Sequence, residues 1–97
     1  MGYKLYWSDE AVNNLEDILN YLLENWSDKE LDNFKQSLSL QLDLIIRNPN
    51  MFPVSTHIPR LRKAVLSKQT TVFYEIKGKS IFLAYLHVNR KDIKSLK

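Results

Sequence analysis

The chain has no cysteine. That absence excludes disulfide-stapled scaffolds, thiolate zinc sites and cysteine nucleophiles, and it fits a reducing compartment. Glycine is nearly as scarce. Two isolated residues, Gly2 and Gly78, cannot build the Gly-rich loop that cradles a nucleotide's phosphates. A serine elbow of the G-x-S-x-G kind is missing as well. The two histidines, His57 and His87, lie 30 residues apart with no acid at ligand spacing from either, so no metal is expected. Nothing implies a cofactor. No apolar run approaches the roughly 20 residues that span a bilayer, and the opening Met1-Gly2-Tyr3-Lys4-Leu5-Tyr6-Trp7 is too short and too aromatic for a secretory leader. With 97 residues, 44% of them hydrophobic, the expectation is one compact cytoplasmic domain over residues 1–97.

Acids are missing from one half only. Residues 1–59 carry four Lys/Arg against nine Asp/Glu, whereas residues 60–97 carry ten against Glu75 and Asp92 alone. A net charge of +3 therefore hides −5 followed by +8. So basic a segment attracts polyanions or an acidic protein surface, unless it is only a solvated face.

Tyr3-Lys4-Leu5-Tyr6-Trp7 alternates and is aromatic, which predicts a first strand. Ser8 follows as an N-cap, with Asp9 and Glu10 in the turn where the helix dipole favours acids. Ala11, Leu15, Ile18, Leu19, Leu22 and Trp26 then form one helical stripe, with Asn13, Asn14, Glu16, Asp17 and Asn20 on the opposite face. Ser27-Asp28-Lys29-Glu30 is a capping box that opens a second helix. Its stripe is Leu31, Phe34, Leu38, Leu42 and Ile45, and Leu40 and Leu44 widen it to a second side, as in a helix that packs against two neighbours or against one neighbour and a partner protein. Asn48-Pro49 ends it, because the residue before proline is pushed out of helical geometry. A loop over 50–59 leads to three strands. Residues 60–67 alternate basic and apolar, 70–76 are β-branched and aromatic, and 80–88 are nearly all apolar, which predicts a central strand buried on both faces. Lys77-Gly78-Lys79 supplies the last turn.

The order β-α-α-β-β-β predicts an α+β fold in which a helical hairpin packs on one face of a mostly antiparallel four-stranded sheet. The other face is left uncovered, and by composition it should be basic. A paired-carboxylate site is excluded, because residues 51–74 hold no acid. What remains is a cation cluster of Arg60, Arg62, Lys63, Lys68, His87 and Arg90. Around a histidine that titrates near neutrality, such cations can hold an RNA phosphate and move a proton. They can equally dock an acidic partner without chemistry, or serve only as a solvated face.

Three segments in order resemble the RelE/ParE superfamily of bacterial toxins from type II toxin–antitoxin modules. They are Tyr6-x-Ser8-x-x-Ala11-x-x-x-Leu15-x-x-Ile18-x-x-Tyr21-Leu22, then Asn48-Pro49-x-x-Phe52-Pro53, then Phe73-Tyr74-Glu75-Ile76 with Ile81-x-Leu83-x-x-Leu86-His87-x-x-Arg90. The resemblance implies a cytoplasmic growth-inhibiting toxin, of the kind that stabilises plasmids, neutralised by an acidic antitoxin whose extended segment wraps hairpin and sheet, with Leu40 and Leu44 as contacts. RelE-like members cut messenger RNA on the ribosome; ParE-like members poison DNA gyrase. If this chain is RelE-like, Arg62, His87 and Arg90 are the catalytic candidates. Thr71, however, occupies the place where those ribonucleases carry an arginine, and the tail over 91–97 holds no aromatic or histidine. The resemblance is closer to ParE, with Arg60, Arg62, Lys63, Lys68 and Arg90 as target- or antitoxin-binding residues. The ribonuclease is one alternative, and an inactive homologue that only binds its antitoxin is another.

Overall fold

A computed structural model describes residues 2–67 and 70–88. β1 (Lys4–Trp7) leads into α1 (Asp9–Asn25) and α2 (Asp28–Arg47), then a 3-10 turn at Pro49–Met51, and finally β2 (Arg62–Val65), β3 (Thr70–Lys77) and β4 (Ser80–Val88). The expected α+β architecture is present. One four-stranded sheet runs in the order β1-β4-β3-β2; β1 is parallel to β4 and the other two pairs are antiparallel.

Local chemistry sets the helix ends. The Ser8 Oγ accepts from Ala11 N at 3.0 Å, and Ser27 with Glu30 closes a reciprocal capping box. Asn48 stops α2 ahead of Pro49. Gly78 takes φ +59 in the tight turn between β3 and β4, a conformation that costs glycine nothing.

Both helices lie on the same side of the sheet. Ala11, Ile18 and Leu22 of α1 and Leu31, Leu38 and Ile45 of α2 meet Ala64, Val72, Tyr74, Ile81, Leu83 and Leu86 in one buried cluster. Leu15 and Leu19, expected in the same stripe, are only partly covered. Asn14, expected to face away from the core, turns its side-chain oxygen to the sheet and accepts the Leu86 N–H at 3.0 Å.

β4 corrects the expectation of burial on both faces. Its register against β3 slips between Phe73 and Tyr74: Phe73 faces Tyr85, Tyr74 faces Leu83, and Ala84 is left over as a β-bulge. Strict alternation would place Phe82 and Tyr85 on opposite faces, since they are three residues apart. The bulge puts them on the same one. Leu83 and Leu86 both turn into the core and are buried, while Phe82 remains 37% exposed. The bulge sits where β1 ends and α1 begins, and there Ser8 stitches it: its N–H donates to Leu83 O at 3.1 Å and its hydroxyl to Ala84 O at 2.7 Å.

Candidate functional site: an aromatic sheet face with a basic rim

The face left uncovered by the helices is aromatic at its centre, not simply basic as its composition led one to expect. Four rings stand on it from three strands. Tyr6 of β1 pairs in register with Phe82 of β4, and their rings stack at 5.2 Å with planes 19° apart. Phe73 of β3 pairs with Tyr85 of β4, stacked at 4.7 Å and 19°. Cross-strand stacks of this kind stabilise a sheet locally. They also leave apolar surface in water, for Tyr6 is 45% and Phe82 37% exposed, and Val65 of β2 adds to it.

The cations lie around these rings. The Lys77 ammonium lies 5.8 Å from the Phe82 ring centre, within reach of the ring's negative face. Lys4 pairs with Ser80 at one side of the sheet and Lys63 with Phe73 at the other. Glu75, in register with Phe82, is met by Arg60 at 3.8 Å.

The cation cluster read from the sequence is spread across the sheet rather than gathered at one point. Arg62 pairs with Tyr74, so it shares the inward side with that buried ring. Its guanidinium donates to Phe52 O at 2.6 Å and Asn50 O at 3.4 Å. Tyr74 secures the same loop, donating its hydroxyl to Pro49 O at 2.6 Å, with Phe52 edge-on at 6.2 Å. Burial pushes the Tyr74 phenol up to about 12, against a smaller downward pull from Arg62. Arg62 therefore holds the loop after α2 through backbone carbonyls.

His87 sits elsewhere. It pairs with Thr71 of β3, three ladder steps and two strands from Arg62, about 14 Å at ordinary sheet spacings. It is exposed and lines a cavity of about 360 Å³ with Glu10, Asn14 and Asp17 of α1. His57 lies in the loop before β2, where its backbone N–H donates to the buried Ser55 hydroxyl at 3.3 Å. Lys68 and Arg90 lie outside the described residues. Among the described residues, no three His, Asp or Glu side chains gather as metal ligands do.

On the opposite side of the molecule, the helical hairpin leaves an outer groove of about 340 Å³, walled by Leu15, Leu19, Phe34, Leu38 and Leu42 with Lys35 beside them. Leu40 and Leu44 are exposed on α2, Leu40 at 68%, and neither lines this groove. Reading the sequence missed both the groove and the aromatic face. A signal for the face was present: Tyr6 and Phe73 alternate with core residues in their strands, and only the bulge hid that Phe82 and Tyr85 join them.

No helix among the described residues is long and apolar enough to cross a membrane. No curated protein sequence matches the chain, but solved structures do. It resembles a chain of the chromosomal ParDE toxin–antitoxin system from P. aeruginosa, with a TM-score of 0.76 and 17% identity over 89% of this chain and 95% of that one. A chain of the Mycobacterium tuberculosis RelBE2 toxin–antitoxin complex aligns at a TM-score of 0.64 and 11% identity, covering 92% of this chain and 100% of the other. A chain of the E. coli DinJ-YafQ toxin–antitoxin complex aligns at 0.63 and 10%, covering 94% and 97%. At these identities the likeness establishes the fold. The family comes from sequence: the model of the ParE toxin of type II toxin–antitoxin systems, parDE, matches residues 5–92, and the chain belongs to that toxin family.

Proposed function

We propose that this toxin arrests bacterial growth in the cytoplasm by ParE-like poisoning of DNA gyrase, until a cognate antitoxin neutralises it. The observation that carries the reading is the ParE toxin match over nearly the whole chain. The chemistry of the open face favours it over a ribonuclease. Thr71 stands in register with His87, at the place where RelE-like enzymes often carry an arginine, and Glu75, the carboxylate on that face among the described residues, has Arg60 at 3.8 Å. Cleavage of a phosphodiester needs a positioned base and acid within reach of one another. Arg62 is bonded to backbone carbonyls of the loop, about 14 Å from His87 by sheet spacing.

The antitoxin reading rests on the helical hairpin. An apolar groove walled by leucines and Phe34 fits the apolar face of an amphipathic helix, and a chain so divided in charge suits an acidic partner that continues onto the basic half. Leu40 and Leu44 then offer contacts beyond the groove, and Arg60, Lys63, Lys68 and Arg90 offer cations to the partner or the target.

Induced expression without the antitoxin tests this. Growth should stop with an SOS response, and the purified chain should inhibit gyrase supercoiling. Codon-specific transcript ends with normal supercoiling would overturn gyrase in favour of the ribosome, and undisturbed growth would make the chain an antitoxin-binding homologue without activity.

A further inference from the structure

We infer that the open sheet face is a docking surface for an acidic protein, with Tyr6, Phe73, Phe82 and Tyr85 as its apolar centre. The inference rests on the proposed protein target and assigns it a place on the molecule.

Exposed rings rimmed by lysines are compatible with three occupants: single-stranded nucleic acid, a second copy of this chain, or another protein. Geometry separates them. A nucleobase binds by stacking on a free ring face. Here Tyr6 and Phe82 are stacked on each other at 5.2 Å, Phe73 and Tyr85 at 4.7 Å, and the Lys77 ammonium lies 5.8 Å from the Phe82 centroid. Each ring thus gives one face to its cross-strand partner, and Phe82 is approached by Lys77 as well, so the surface offers paired rings rather than free ones. That makes a close-packed apolar patch suited to side chains rather than a stacking platform.

Charge argues against a second copy. Lys4, Lys63 and Lys77 rim the patch, and its acid, Glu75, is met by Arg60. Two such faces brought together would set like charges against like, which is disfavoured in a desolvated contact. A protein with an apolar centre and an acidic rim complements the face in both respects, since aromatic residues are enriched in interface cores and opposite rim charges speed encounter. Ring geometry thus selects protein over nucleic acid, and charge selects a foreign protein over self.

The variants Y6S/F82S and K4E/K77E test it, after near-UV circular dichroism and melting temperature have shown both to be folded. The probes are purified DNA gyrase, a 12-nucleotide oligo-dT or oligo-U, and the chain itself in sedimentation. Y6S/F82S should weaken gyrase binding at least ten-fold and relieve growth arrest, with oligonucleotide affinity unchanged. K4E/K77E should act in the same direction, chiefly through a slower and less salt-sensitive association. Either variant binding gyrase and arresting growth like the wild type overturns the inference. So does a loss of oligonucleotide binding in Y6S/F82S, or a wild-type dimer that this variant dissolves. A wild-type chain that arrests growth without touching gyrase sinks the gyrase reading alone. The docking face is then retained if Y6S/F82S relieves that arrest at unchanged oligonucleotide affinity, and rejected if it does not. A wild-type chain that neither binds gyrase nor arrests growth removes both.

Discussion

Tyr74 shows how much one buried hydroxyl carries in a chain of this size. The ring is fully buried, and its hydroxyl satisfies Pro49 O at 2.6 Å, linking the centre of the sheet to the turn that follows α2. Tyr74→Phe keeps the ring but strands the carbonyl, at an expected cost of about 1–2 kcal/mol in urea unfolding near neutral pH. Its pH dependence has a definite sign. The phenol is pushed up to about 12 in the fold from an ordinary 10.0, so above pH 10 the unfolded chain releases this proton while the folded chain keeps it. Stability tied to Tyr74 is therefore complete below pH 10 and lost as pH climbs toward 12, by roughly 1.4 kcal/mol per pH unit. The gap between wild type and Tyr74→Phe should close across that window; a gap constant with pH would show that the buried phenol does not resist ionisation. Arg62 makes the complementary point. A cation in a basic stretch invites a functional role, but two carbonyl contacts give it a structural one first.

Among the elements, β4 decides the character of the molecule, and the junction of β1 with α1 makes that possible. Once β1 ends at Trp7, Ser8 takes over the edge of β4, capping α1 and donating to the bulge carbonyl Ala84 O at the same time. Ser27 is a cap and nothing more, on an exposed turn. The two serines make a controlled comparison. Ser27→Ala should cost about 1 kcal/mol, the usual value of an N-cap. Ser8→Ala should cost about 2–3 kcal/mol, because it also leaves a part-buried carbonyl unpaired. Equal losses in chemical denaturation would mean that Ser8 contributes nothing to the bulge. The capping signals were legible in the sequence because they are local: Ser8-Asp9-Glu10, Ser27 to Glu30, and Asn48-Pro49 act within one turn. The bulge was not. It depends on the pairing of β4 with β3 and on bonds from Ser8 and Asn14 that span 76 and 72 residues, and a run of apolar residues carries no mark of where its alternation will slip.

At the scale of the whole molecule, the described residues leave several large apolar side chains exposed. Tyr6, Phe82 and Val65 lie on one side; Leu23, Leu40 and Leu44 lie on the helices. Exposed apolar patches can mark partners, and among the described residues the sheet face and, separately from these leucines, the groove walled by Leu15, Leu19, Phe34, Leu38 and Leu42 are the candidates. A partner that binds only the folded chain stabilises it by mass action. Cognate antitoxin at one hundred times its Kd should therefore add about 2.7 kcal/mol and raise the melting temperature by about 10 °C or more. Leu19→Asp/Leu42→Asp should remove that rise, because it places charge on the groove wall. A rise of equal size in this variant would move the antitoxin off the groove. Sequence alone determined the element order, the helix ends, the division of charge and the family, since each depends on periodicity, on neighbouring residues or on composition. Tertiary structure alone decided where the alternation of β4 slips, and with it the change from a basic face to an aromatic one with a basic rim. The reason is physical: in a pleated strand a single extra residue inverts every side chain beyond it, and whether that residue is accommodated depends on groups brought in from the far end of the chain.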